Sequence, residues 1–151
     1  MNGFYGECLR LEIFGQSHAE SVGMTLEGVP AGARVDFDAL LHFMQRRAPG
    51  RSEYATARRE ADVPEFTSGL RDGVTDGMPI TAVIRNTDVR PQDYDALRTV
   101  PRPGHADYSA WLRYGSIPTG GGEFSGRMTA PLCITGGICL QLLENEGVSI
   151  R

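Results

Sequence analysis

The chain has 151 residues, enough for one domain with a real core and too few for two of ordinary size. Its 40% hydrophobic and 23% charged residues are those of a globular chain, and nineteen glycines with nine prolines argue against a long helical bundle. A formal net charge of −4 disfavours a general nucleic-acid or anionic-membrane partner.

Taken in chain order, Cys8–Gly15 (CLRLEIFG) and Val22–Val29 (VGMTLEGV) alternate apolar and polar residues as half-buried strands do. They are predicted to pair as a hairpin across GQSHAES. Asp36 is a suitable N-cap for a helix reaching Arg47, with Phe37, Leu40, Leu41 and Met44 on one face. Residues 48–60 lack periodicity and are expected to form a long mobile loop. A strand pair is predicted around VPEFTSGL and PITAVIRN, joined across Gly73–Gly77, where TDG suits a tight turn. Residues 86–115 form a second irregular stretch, becoming helical from His105 or Ala106. TGGGEFSG then leads into a long buried helix over RMTAPLCITGGICLQLLENEG, and GVSIR has the pattern of a strand that begins as the chain stops. Strands with helices inserted between them give an α+β class.

The most apolar stretch, Met128–Leu143, is interrupted by Pro131, two glycines and Gln141, and is too short to span a bilayer. The N-terminus lacks a signal-peptide layout. Cys8, Cys133 and Cys139 form no CxxC pair and are expected as reduced core thiols in a cytoplasmic protein.

Of three histidines, His42 lies within the first helix and is expected at its surface or boundary. His18 and His105 sit in glycine-flanked loops beside Ser17 and beside Arg102 and Asp107. A serine-hydrolase reading of Ser17–His18 fails because neighbours on an extended chain point apart, and the elbow glycine is replaced by Ala19. No H-E-x-x-H or paired-cysteine spacing supports a metal. What remains is an imidazole able to exchange a proton near neutral pH. All fifteen basic residues are arginine, and Arg46, Arg47, Arg51, Arg58 and Arg59 fall within one short span. A solvated basic face explains that cluster, and so does a small polyanionic ligand gripped by guanidinium forks. The glycine-rich TGGGEFSGR enters a helix, which lets backbone N–H groups approach a phosphate, but it lacks the Walker A ending.

In order, FG-x-SH (Phe14–His18), EGVPAG (Glu27–Gly32), RRAPGRS (Arg46–Ser52), RRE-x-D (Arg58–Asp62), SG-x-x-DGVTDGMPI (Ser68–Ile80), NTDVRPQDY (Asn86–Tyr94), RPGHADYS (Arg102–Ser109) and GGGEFSGRMTA (Gly120–Ala130) resemble the chorismate synthase family. The resemblance implies part of a β-α-β sandwich, with antiparallel sheets packed on long helices, assembled as a homotetramer. It also implies conversion of 5-enolpyruvylshikimate 3-phosphate to chorismate with reduced FMN. In some members NADPH reduces the flavin.

By position, His18 resembles the acid serving the departing phosphate and His105 the proton donor to the reduced flavin. Ser17, Arg46, Arg47, Arg51 and Arg127 are similar to substrate-side residues, and Arg47, Glu123, Phe124 and Ser125 to flavin-side residues. Gln16, Ala19, Glu53 and Phe124 stand where many members carry glutamate, glycine, arginine and serine. Family chains continue well past residue 151, so the resemblance implies an N-terminal portion of a single domain. Two other readings stay open: a truncated, non-catalytic remnant that binds anions or flavin weakly, and an unrelated phosphate-ester binding protein.

Overall fold

A computed structural model describes residues 3–48, 60–87 and 99–150 of the chain. Strands β1 (Gly3–Tyr5), β2 (Arg10–Gly15), β3 (Ser21–Glu27), β4 (Glu65–Ser68) and β7 (Ile80–Arg85) build one antiparallel sheet in the order β1-β2-β3-β7-β4. Strands β5 (Leu70–Arg71) and β6 (Val74–Thr75) form a separate small hairpin. Three helices follow the order α1 (Phe37–Gln45), α2 (Asp107–Tyr114) and α3 (Thr129–Asn145), with 3-10 turns at Thr119–Phe124 and Gly126–Met128.

The period of two predicted for the strands decides which face is covered. Val22, Met24 and Leu26 of β3 stand opposite Ile84, Ala82 and Ile80 of β7, and all six are buried. On the other face Thr25 and Thr81 meet through their hydroxyls at 3.1 Å, a cross-strand pair compatible with water. The covering layer is α1, through Leu40 and Met44, and α3, through Ala130, Ile134 and Ile138. Each fully buried aliphatic side chain there contributes about 1.5–3 kcal/mol.

Local chemistry fixes both helices. Asp36 Oδ1 accepts from the Ala39 N–H at 3.0 Å, the expected N-cap. Gln141, a polar residue in an otherwise apolar helix, has a structural explanation. Its side-chain oxygen accepts from the Asp36 N–H at 2.7 Å and its amide donates to the Asp36 carbonyl at 3.0 Å. Pro131 sits in the first turn of α3, where no N–H is needed. Gly137 lets the helices touch: a Cβ there would lie 2.5 Å from Leu40 Cδ1 and 3.1 Å from Phe43 Cδ1.

Several expectations need correction. The β2–β3 hairpin and the β4–β7 pairing form as predicted, but the tight turn is not at TDG. It falls at Asp72 and Gly73, both left-handed (φ 50 and 75), a combination that a β-hairpin turn favours and that Asp and Gly tolerate. Thr75 is instead buried, accepting from the Ala33 N–H and donating to the Pro30 carbonyl, so the small hairpin docks on the EGVPAG loop. Residues 148–150 form no strand; α3 ends and Gly147 turns left-handed. Helix α2 starts at Asp107, close to the predicted place, and closes on left-handed Gly115. The cysteines are free but not all in the core: Cys8 is exposed, while Cys133 and Cys139 are half-buried, and burial pushes both of those thiols up. The predicted loop 48–60 lies almost wholly outside the described residues, as do residues 88–98 of the second irregular stretch. Among the described residues no helix is long and apolar enough to cross a membrane.

Candidate active site

The β2–β3 connection carries Ser17 and His18. Its turn is closed by the Ala19 N–H donating to the Gln16 carbonyl at 3.2 Å. From the end of β7, the Asn86 amide donates to the carbonyls of Gln16 (3.1 Å) and Ala19 (2.8 Å) and grips the same turn. Ala19 is exposed and has no left-handed backbone, so its Cβ causes no strain in the turn.

Ser17 is buried, and its N–H donates to the Gly122 carbonyl at 3.3 Å. Its hydroxyl donates to the Gly120 carbonyl at 3.4 Å. The loop is thereby laid against the glycine run, whose Gly120, Gly121 and Gly122 all have left-handed φ (62, 91 and 52). Only glycine adopts three such conformations in succession without a steric penalty.

Both loop histidines pack on that run. A Cβ on Gly120 would collide with the His18 ring edge at Cδ2 and Nε2. A Cβ on Gly121 would lie 2.6 Å from His105 Cε1 and 2.9 Å from its Nε2. Residues 87 apart in sequence therefore set their imidazoles on consecutive glycines, whose Cα atoms are about 3.8 Å apart. His42, by contrast, is exposed on α1.

On its other side His105 faces a buried carboxylate. Its Nδ1 is 2.8 Å from Asp107 Oδ1. Asp107 also accepts from Arg102: from the backbone N–H at 3.0 Å, from Nε at 2.7 Å and from Nη2 at 2.9 Å. These hydrogen bonds hold the Asp107 carboxyl well below the usual carboxylate range despite its burial.

The arginines divide. Arg46, at the C-terminal end of α1, is exposed with its guanidinium 5.6 Å from the Phe43 ring centre. Arg47 turns inward: Nη1 donates to Asp62 at 2.5 Å, Nε to the Thr129 hydroxyl at 3.0 Å, and Nη2 to the Gly126 carbonyl at 3.4 Å. Arg127 is buried, paired with Asp62 and, at 2.5 Å, with Glu60, while its Nε donates to Asn86 at 3.1 Å. Glu60 in turn accepts from the Thr87 N–H at 3.0 Å. Arg47 and Arg127 thus face carboxylates, where the sequence suggested a ligand. Arg51, Arg58 and Arg59 lie outside the described residues.

Of the proposed flavin-side residues, Glu123 hydrogen-bonds Tyr114, which lowers the Glu123 carboxyl and raises the Tyr114 phenol. Phe124 packs its ring 6.4 Å from that of Tyr114. Ser125 caps the following turn by accepting from the Arg127 N–H at 3.2 Å. Asp107, Asp62, Glu60 and Asn86 had been assigned no role from the sequence. Asp107 was in reach, two residues after His105, whereas the partners of Arg127 lie 41 to 67 positions away and carry no local signal.

A family model described as chorismate synthase matches residues 9–151. The chorismate synthase of Lancefieldella parvula is 50% identical, over 99% of this chain and 40% of its own. That of Thermococcus kodakarensis is 40% identical, over 97% of this chain and 41% of its own. A solved chorismate synthase structure superposes with a TM-score of 0.66 at 25% identity, covering 95% of this chain and 36% of that one. The chain spans about two fifths of the length of the relatives it matches.

Proposed function

The chain belongs to the chorismate synthase family, and from that premise we propose that it is the N-terminal part of a lyase acting on 5-enolpyruvylshikimate 3-phosphate. The reaction is an anti-1,4-elimination: the ring carbon–oxygen bond to phosphate breaks, a ring proton is lost, and chorismate and phosphate result. The observation that carries this reading is the packing of His18 against Gly120 and of His105 against Gly121, consecutive residues of one glycine run.

In this reading His18 delivers a proton to the departing phosphate, and the Ser17 hydroxyl lies on the phosphate side of the same loop. His105 exchanges a proton through the ring edge that faces Gly121. Arg46 and Arg51 grip the substrate's anionic groups. Arg47 and Arg127 support the site from behind by holding Asp62, Glu60 and Asn86, and through Asn86 the turn that carries Ser17 and His18.

A flat aromatic cofactor fits the residues present, because the rings of Phe124 and Tyr114, 6.4 Å apart, are both exposed and free to stack on it. Glu123, Phe124 and Ser125 would border it. Reduced FMN, when bound, supplies the reducing flavin that the elimination requires without net oxidation. Flavin reduction by NADPH, a homotetrameric assembly and a cytoplasmic location belong to the same proposal.

The test is an anaerobic assay of the chain with 5-enolpyruvylshikimate 3-phosphate and dithionite-reduced FMN. Chorismate formation is expected, with His18→Ala and His105→Ala each lowering the rate about 10²-fold or more. Near-normal rates in either variant would remove that residue from the mechanism. The second reading is a remnant that binds anions or flavin without turnover. Ligand binding with no chorismate would support that one.

A further inference from the structure

We propose that Asp107, clamped by Arg102, is a positioning residue that fixes His105 as its Nδ1–H tautomer and reserves Nε2 for proton exchange above Gly121. The inference rests on the proposed function only for the use to which Nε2 is put.

Two groups approach His105 Nδ1: Asp107 Oδ1 at 2.8 Å and Arg102 Nη2 at 3.3 Å. They make opposite demands. A carboxylate oxygen accepts only, so it requires a hydrogen on Nδ1; a guanidinium donates only, so it requires a lone pair there. The carboxylate contact is the shorter by 0.5 Å, and two lone pairs at 2.8 Å would repel. Nδ1 therefore carries the hydrogen. Arg102 Nη2 has its acceptor elsewhere, in Asp107 Oδ1 at 2.9 Å.

Arg102 makes this choice durable. Asp107 is almost wholly inaccessible, and a buried carboxyl would otherwise tend to take up a proton and become able to donate. Three hydrogen bonds from Arg102 keep it ionised and hold its plane. Because Arg102 and Asp107 carry opposite charges, the pair orients the imidazole while adding little net field at it. With Nδ1 occupied, a neutral His105 has its lone pair at Nε2, and a charged one donates from Nε2. That atom belongs to the ring edge lying over Gly121.

Nitrogen-15 NMR of the labelled chain, without substrate or flavin and at a pH of about 8 where an ordinary imidazole is neutral, reads the tautomer directly. Loss of one set of signals in His105→Gln assigns them. His105 is expected to show a protonated Nδ1 and a lone-pair Nε2. In Asp107→Asn the Arg102 donors select the amide oxygen and turn the NH₂ toward His105, so the tautomer is expected to reverse to Nε2–H. A protonated Nε2 in the unmodified chain would overturn the proposal, and so would an unchanged tautomer in a folded Asp107→Asn. If that variant does not fold, the unmodified chain's spectrum alone decides. A chain with Nδ1–H that makes no chorismate loses the proposed function and keeps this assignment.

Discussion

Two buried carboxylate clusters hold the site, and they are built on opposite plans. The Arg102–His105–Asp107 cluster is local: its members lie within five positions of one another and include one imidazole. The Arg47–Asp62–Arg127–Glu60 cluster joins residues 15 to 67 positions apart and is made only of guanidinium–carboxylate pairs. The first orients a single imidazole. The second ties the segment at residues 60–62 to the end of α1, to Asn86 after β7 and to the start of α3. The contrast separates two uses of buried charge, one for setting the state of a proton and one for fixing the positions of three elements.

The largest way to test that contrast is Arg127→Ala. It leaves Glu60 and Asp62 buried without their shared cation and is expected to cost about 3–5 kcal/mol in urea unfolding. Arg102 is more exposed, with 27% of its side chain accessible against 3% for Arg127, so Arg102→Ala is expected to cost clearly less. Equal losses would erase the distinction.

Next comes Asp107→Asn, at about 1.5–3 kcal/mol, as for hydrogen bonds to a charged group. Here pH sharpens the reading. The folded-state carboxyl is held below its ordinary value, so its contribution is fully present above the unfolded pKa of about 3.9. It is lost as pH falls through the lower folded value. The urea midpoint of the unmodified chain should therefore fall in acid more steeply than that of Asp107→Asn. Matching slopes would show that this carboxylate is not specially stabilised.

Gly121→Ala acts on the first cluster from its histidine side and replaces none of the paired arginines or carboxylates. A left-handed alanine costs about 1–2 kcal/mol, and the new Cβ displaces His105. Stability close to the unmodified chain together with an unmoved His105 resonance would contradict the glycine bed. The smallest effect is expected from Gln141→Ala, remote from both clusters, at about 1 kcal/mol. Its cost should add to that of Arg102→Ala within a few tenths of a kcal/mol in the double variant.

The same contrast explains what was legible in the sequence. Alternation in β2, β3 and β7 predicted the strands because one covered face imposes a period of two. Asp36 and the spacing of Phe37, Leu40, Leu41 and Met44 marked the first helix for equally local reasons, although Phe37 at its start is exposed. His18 and His105 stood out because their loops carry polar neighbours between glycines. The tight turn within the predicted connection was misplaced because DG at 72–73 and TDG at 75–77 offer the same turn chemistry, and Thr75 instead docks on Pro30 and Ala33. The arginine cluster suggested an anion site because a count of like charges along the chain does not see carboxylates delivered in space. Asp62 and Glu60 neutralise Arg47 and Arg127 from a segment with no helical or strand pattern to place it.

The paired hydrogen bonds between Gln141 and Asp36 have a kinetic consequence. They join positions 105 residues apart, and the helix that bears Gln141 is the last regular element among the described residues. During synthesis the central strands β3 and β7 are complete long before α3 exists to cover them. Until then Val22, Met24, Ile80 and Ile84 present a bare apolar face to solvent. Association between unfinished chains is the competing process, and it should grow with concentration. Chaperone dependence of this protein is therefore expected to be set by how quickly residues 129–145 arrive.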